Sequence, residues 1–342
     1  MNNSRMVKLC LLVGALAFFV LRHNSVKQKG GTMHMLVSKS PSAWICAVLF
    51  LLVAAAQAET LRVNCNSKKG LTHISQAINI LQHAESPGSS TILVSGTCNE
   101  NVVIQSLDNL TLTAQAGASI NDSSEGNADV IDIGDSRRVS ISGFTINGGA
   151  NGVVCFGASL CRFSGNTVQG SANYGVVVNE SQATFTGDTL QNNGGRGLSV
   201  IDHGTANAFG ISVQGNGDGI VLNSGAYVVI GNSTIQNNQR FGILASNHST
   251  VRCLPCTITN NSNDGVRLQK ESEGAFDFGG NALTGNGGAG VTLLDLSFAS
   301  FDPGDVITGN VGGTDVVCNP QFSATRGALT NIGGGKTNCT EP

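Results

Sequence analysis

The sequence predicts an all-β fold: a single-stranded right-handed parallel β-helix, a solenoid with an N-terminal capping helix and disulfide-stapled ends. Three observations carry that expectation. A glycine followed by an alternating apolar tetrad recurs at Gly152, Gly175, Gly197, Gly219, Gly242, Gly265 and Gly290, in steps of 22 to 25 residues. A second marker, ending in Asn193, Asn216, Asn238, Asn261, Asn286 and Asn310, keeps the same phase. Between the markers the apolar residues alternate with period two and show no helical spacing, which argues against βαβ units and leucine-rich horseshoes. Each unit is too short to bury its own apolar side chains, so only stacked coils, about eight of them, make a core.

The elements follow in chain order. Two apolar runs, 9–21 and 43–58, open the chain, and each is shorter than the roughly 20 residues a membrane span needs. The second ends in Ala56-Gln57-Ala58, a small-x-small site for cleavage before Glu59. Residues 1–58 therefore read as a leader, with 33–58 as signal peptide and 1–32 as an upstream start. The rival reading makes 9–21 an additional anchor. Residues 59–126 read as N-terminal cap and first coils, 127–312 as regular coils and 313–342 as C-terminal cap. In the cap, Ile74, Ala77, Ile78 and Leu81 share one helical face, as a helix closing the first coil requires.

In the coils, Val153, Val176, Leu198, Ile220, Ile243, Val266 and Val291 should point inward. Their neighbours Val154, Val177, Ser199, Val221, Leu244, Arg267 and Thr292 should point outward, after Asp132 in the preceding coil. The six marker asparagines, in one register, should stack as a ladder at a bend, each amide bonding the next about 4.8 Å away. Asn also tolerates the left-handed turn conformation such a corner needs.

Composition agrees. The 342 residues include 45 Gly, with 12% charged and 5% aromatic residues, which suits short strands and tight turns. All 22 acidic residues follow Ala58 but only 13 of the 19 basic ones do, so the processed chain carries −9. Nucleic acid and anionic membrane surfaces are excluded as partners by that charge, and no membrane association is expected after cleavage. The processed chain keeps Cys65, Cys98, Cys155, Cys161, Cys253, Cys256, Cys318 and Cys339. In the oxidising compartment implied by export, whether periplasm or exterior, these read as disulfide partners. Neighbourhood suggests 65 with 98, 155 with 161, 253 with 256 and 318 with 339, among 105 connectivities that sequence leaves open. Cys253-Leu-Pro-Cys256 has the CxxC form, but no βαβ unit surrounds it and no second CxxC completes a zinc site.

In its glycine and asparagine markers, the chain resembles the pectate-lyase-like superfamily of right-handed parallel β-helices, in its generic repeat branch, over roughly residues 60–342. Thr91-Ile-Leu-Val and Gly96-Thr-Cys-Asn-Glu100 resemble the family's first strand and its Gly-x-x-x-Glu turn. The resemblance implies a secreted protein that binds or processes polysaccharide on the outward face of its coils. If it is an enzyme, a polysaccharide lyase or uronate epimerase is implied. The motifs of pectin methylesterases, polygalacturonases and alginate epimerases do not recur intact, so no catalytic residue carries over from them.

Polar residues gather one register beyond the outward row: Glu180, Asp202, His203, Asn223, His248, Lys270, Glu271 and Asp295. An Asp-His pair near a cation can remove a proton beside a carboxylate, which gives Asp202, His203, Arg267 and Lys270 as the catalytic set. Glu180, Asn223, His248 and Asp295 are then the substrate-binding set. The bland alternative is a solvated turn, where these residue types are also at home. No cofactor is required by the pattern. Asp122, Glu125, Asp129, Asp132 and Asp135, or Asp302 with Asp305, supply oxygens enough for Ca²⁺ without an ordered ligand spacing. A competing functional reading is a noncatalytic surface, adhesion or structural module. In it the aliphatic row Val154, Val177, Val221 and Leu244 lies exposed and packs on a protein partner or a second copy.

Overall fold

Ten short strands, one from each coil, pair in parallel from Val102–Gln105 at one end to Val316–Cys318 at the other and form the first sheet. The structure, a computed structural model, describes residues 59–83, 88–319, 324–326 and 329–340. The expected leader, signal peptide and alternative anchor lie outside the described residues. Two further stacks complete each coil. One contains Leu160–Ser164, Gln182–Thr186 and Thr205–Phe209; the other contains Thr167–Gln169, Thr189–Gln191 and Ser212–Gln214. The long bent strands Tyr227–Gln236 and Thr250–Thr259 run through both stacks.

The ten coils exceed the eight or so expected. Strands Val102–Gln105, Ile131–Gly134 and Val316–Cys318 join the sheet in register without the preceding glycine. At Gly175 the glycine leaves room for the ladder amide of Asn193, and at Gly152 for Ser171 and the Gly175 carbonyl oxygen.

Inward residues Val153, Val176, Leu198, Ile220, Ile243, Val266 and Val291 are all buried. Phe163 stacks on Phe185 with ring centres 5.0 Å apart, and Phe276 on Phe301 at 5.3 Å. The asparagine ladder is continuous. Asn193 Nδ2 donates to Asn216 Oδ1 at 2.9 Å, and the same bond recurs through Asn238, Asn261, Asn286 and Asn310 at 2.9–3.1 Å. It ends on Asp315, whose Oδ1 takes Asn310 Nδ2 at 2.9 Å while Oδ2 accepts the Lys336 amide. A terminal carboxylate suits that position. With no further side-chain acceptor ahead, an asparagine there would carry an unused N–H where a local amide needs an acceptor.

Helix α1, Ile74–Gln82, closes the first coil with Ile74, Ala77, Ile78 and Leu81 buried. Its first amides are taken by Glu100, and Gln76 Oε1 reaches back to the amides of Thr72 and His73. Disulfide Cys65–Cys98 pins this end, Cys318–Cys339 the other, and Cys155–Cys161 closes a corner between two stacks. A loop of 33 residues is worth roughly 4 kcal/mol when closed in the chain-entropy account.

Two expectations are corrected. Cys253 and Cys256 are free thiols, both buried, on either side of a corner at Leu254–Pro255. The Cys256 thiol instead donates to the Ile230 carbonyl, at 3.5 Å. The outward aliphatic row is not an exposed stripe: Val177, Ser199 and Val221 are buried, and Thr292 with them. Long side chains from the strand starts fold over this face. Arg196 donates Nη1 to Ser199 Oγ at 2.9 Å and stacks on Tyr174, and Arg267 stacks on Phe241.

Candidate functional site

The second stack presents its outward residues in two columns, because Cys161, Phe163, Ala183, Phe185, Ala206 and Ala208 alternate with them and are buried. Leu160, Gln182, Thr205 and Tyr227 form one column, and Arg162, Thr184 and Asn207 the other. Two shallow depressions meet on this surface. The first is lined by Leu160, Arg162, Gln182, Thr184, Thr205 and Asn207. The second shares Leu160, Gln182 and Thr205 and adds Ala158, Ser159, Glu180, Ser181 and His203 from the adjoining turns. Together they make a groove that runs from the turn column onto the sheet.

Its frame is rigid for identifiable reasons. Ala158, Glu180 and His203 all take the left-handed conformation, at φ 58°, 49° and 60°. Behind them, Ser159 Oγ accepts the Ser136 amide and Ser181 Oγ the Ser159 amide, a hydroxyl ladder that holds successive turns in step. Cys155–Cys161 ties the turn to the groove floor. Arg162 is exposed there, and among the described residues no carboxylate pairs with it. Gln182 and Asn207 offer amides that donate and accept at once, and Thr184 and Thr205 offer hydroxyls, the chemistry that matches vicinal sugar hydroxyls.

The sequence-expected residues separate into those the groove uses and those it does not. Glu180 and His203 line it. Asp202 precedes His203 in the same left-handed turn, at φ 51°. The His203 ring covers Gly225 of the next coil, where an added Cβ would stand 3.1 Å from Cδ2. Arg267 lies three coils from Ser199 in the same outward column, through Val221 and Leu244. At the strand spacing that is about 14 Å along the axis. Its guanidinium is engaged, with Nε 2.8 Å from Asp264 Oδ2 and its plane over Phe241 at 4.6 Å. Lys270 sits in a turn three coils from that of Asp202, so the structure does not bring the four expected catalytic residues together. His248 Nε2 meets Glu271 Oε2 at 3.1 Å, Asn223 Oδ1 accepts Asn247 Nδ2 at 2.6 Å, and Asp295 is exposed in another left-handed turn.

The acidic loops use their oxygens internally. Asp122 accepts Asn101 Nδ2, the hydroxyl and amide of Ser124 and the Gly126 amide. Burial pushes this carboxyl up, but those bonds outweigh it and hold it well below the usual carboxylate range. Asp302 accepts the Phe278 amide, and Asp305 those of Asn281 and Asp302. Asp132, expected on the outward row, is half-buried, and burial together with Asp129 pushes its carboxyl up.

Arg162, Gln182, Thr184, Thr205 and Asn207 were missed by sequence reasoning, which followed the first strand of each coil. The signal was there in Leu-Cys-Arg, Gln-Ala-Thr and Thr-Ala-Asn at matching phase, small inward residues flanked by polar outward ones.

Comparison with known proteins agrees with this architecture. Residues 151–305 match the sequence model of the right-handed beta helix region. No curated protein sequence matches the chain. Among solved structures, a double-mutant form of the periplasmic alginate epimerase AlgG is similar at TM-score 0.50 and 12% identity, covering 74% of this chain and 78% of that one. The A-module of the Azotobacter vinelandii mannuronan C-5 epimerase AlgE4 gives TM-score 0.49 and 14% identity, covering 82% and 98%. Pectate lyase Pel9A gives 0.48 and 15%, covering 84% and 82%. These are likenesses of fold.

Proposed function

We propose that this right-handed parallel β-helix, of pectate-lyase-like fold, is exported and binds polysaccharide in the groove between its turn column and its second stack. The observation that carries the reading is the meeting of two depressions over Leu160, Gln182 and Thr205, with amides, hydroxyls and an unpaired guanidinium around them. Three disulfides support export, since such bonds persist in oxidising compartments. Among the described residues no helix is long and apolar enough to cross a membrane. Tyr227 extends the groove's inner column by one coil and supplies the aromatic face that sugar rings favour.

Titration calorimetry against a panel of neutral and acidic polysaccharides tests the reading. A glycan that binds the parent should lose about tenfold in affinity when Gln182→Ala removes one hydrogen-bonding side chain, at about 1.4 kcal/mol per decade. Absence of binding across the panel, or affinity unchanged in Gln182→Ala combined with Asn207→Ala, refutes it.

A second reading keeps catalysis, because the exposed His203 imidazole and the Glu180 carboxylate both reach the groove. A lyase or epimerase working there would use His203 as base and Arg162, nearer than Arg267 or Lys270, to hold a uronate carboxylate. His203→Ala should then bind the glycan and leave it unaltered, whereas unchanged turnover removes the assignment.

A further inference from the structure

The third stack of each coil forms a surface unlike the rest of the molecule. In six successive coils its strands read Thr-Ile-Asn147, Thr-Val-Gln169, Thr-Leu-Gln191, Ser-Val-Gln214, Thr-Ile-Gln236 and, within the last long strand, Thr-Ile-Thr259. The central residue points inward and is buried every time. The outer two therefore make parallel columns on the surface. One carries the hydroxyls of Thr145, Thr167, Thr189, Ser212, Thr234 and Thr257. The other carries the amides of Asn147, Gln169, Gln191, Gln214 and Gln236, followed by the Thr259 hydroxyl. Unbroken parallel pairing keeps all six ranks in register.

Three properties of this face are independent of one another. No rank contains an Asp, Glu, Lys or Arg, although the chain after Ala58 carries −9 overall. The amide column is ordered by its own bonds, with Gln169 Nε2 to Asn147 Oδ1 at 2.9 Å, Gln191 to Gln169 at 2.7 Å, Gln214 to Gln191 at 3.1 Å and Gln236 to Gln214 at 3.1 Å. Among the described residues the six hydroxyls of the other column meet no hydrogen-bonding partner in the protein, so their bonds are made outward.

We propose that this face binds ice. Hydroxyls repeat every ~4.8 Å along the axis, and the backbones beneath the two columns stand about 6.6 Å apart, twice the rise per strand residue. The axial repeat of the hydroxyls lies close to the shorter oxygen repeat on the prism face of hexagonal ice. A single ordered water costs up to ~2 kcal/mol of immobilisation entropy. A lattice of hydroxyls and fixed amides at the ice repeat shares that ordering across neighbouring waters, and the ordered amide column means little side-chain entropy is lost on contact. Charged groups would hold water in hydration shells that the lattice cannot incorporate, which accounts for their absence from every rank. The face also lacks Phe, Tyr and Trp, which a flat crystalline polysaccharide would favour.

The test is nanolitre osmometry and ice-recrystallisation assay of the purified exported protein. The expected result is a gap between melting and freezing points, with faceted crystals, that is lost in Thr189→Lys and in Thr167→Lys. Circular dichroism melts and glycan binding of both variants should match the parent, because neither residue touches the core or the groove. A parent protein without a hysteresis gap that leaves recrystallisation unslowed overturns the proposal. So does a gap that survives both lysines, and so does adsorption to crystalline cellulose or chitin without any effect on ice. Glycan binding in the groove stands or falls separately, since its variants lie on the second stack.

Discussion

Gly219 passes so close to Asn238 that a Cβ added to it would stand 2.9 Å from Asn238 Nδ2 and 2.3 Å from the Gly242 carbonyl oxygen. The same approach recurs at Gly197 with Asn216, Gly242 with Asn261, Gly265 with Asn286 and Gly290 with Asn310. The two repeated markers are thus one device: the glycine clears the space through which the ladder amide reaches the next coil.

Gly219→Ala should therefore destabilise by about 1–3 kcal/mol, the usual range for overpacking, because the obstructing group is backbone. Asn238→Ala should cost about 2–3 kcal/mol, since the buried amide of Asn216 and its Nδ2 lose their acceptor. The double variant should cost less than the sum, as removing Asn238 relieves part of the clash at Gly219. Urea unfolding of the four proteins measures this, and strict additivity would mean that the two markers are independent.

Much of this architecture was legible beforehand because it depends on period. The glycines and asparagines kept phase in the sequence, and inward Val176, Leu198 and Ile220 followed from alternation. The strands of Val102 and Val316 were not singled out because they carry no glycine marker, whereas the Ile131 strand was placed through Asp132. Burial of Val177 and Val221 was not legible either: Arg196 reaches from its strand start to Ser199, which lies between them, and such side-chain reach leaves no local pattern. The groove was half legible. Glu180 and His203 stood out as polar turn residues, whereas Gln182 and Asn207 only acquire meaning once coils are stacked.

The shorter ladder from Asn166 ends on buried Asp188, whose Oδ1 accepts Asn166 N and Nδ2 at 2.8 Å each while Oδ2 accepts the Thr186 amide at 3.0 Å. Burial pushes this carboxyl above its ordinary 3.8 despite those bonds, and burial does the same to Asp305 at the end of the Asn281 rung. An acid whose pKa is raised on folding holds its proton longer in the folded chain, so its contribution to stability falls as pH rises from 3.8 through the folded value. Asp188→Asn should gain stability relative to the parent over that rise, as read by unfolding at a series of pH values. Asp122 works the other way, its low carboxyl adding stability above 3.8 that is lost on acidification. A parent-variant difference that does not change with pH would mean that Asp188 titrates alike in folded and unfolded chains.

Cys253 and Cys256 should resist alkylation in the native protein, since both are buried and burial pushes the Cys253 thiol far up, leaving almost no thiolate. After unfolding without reductant, both should label, while the six cysteines of the three disulfides should label only after reduction. Peptide mass mapping reads the pattern directly. Failure of Cys253 and Cys256 to label in the unfolded, unreduced chain would show a fourth disulfide in place of the two thiols.

Glu100 joins the first coil to its lid. Its Oε1 accepts the Ile74 amide at 2.6 Å and its Oε2 the Ser75 amide at 3.0 Å, so one buried carboxylate caps two otherwise orphaned donors at the N-terminus of α1. The site also lies at the positive end of the helix dipole, and charge-assisted bonds are roughly twice as strong as neutral ones. Glu100→Gln keeps one acceptor and should cost about 1–2 kcal/mol, while Glu100→Ala strands both amides and should cost about 2–4 kcal/mol. Because the helix covers the open end of the solenoid, the loss should appear first as faster hydrogen exchange in Ile74–Gln82 and the first coil, with the asparagine ladder still protected. Uniform loss of protection along all ten coils would instead mean that the cap and the solenoid unfold as one unit.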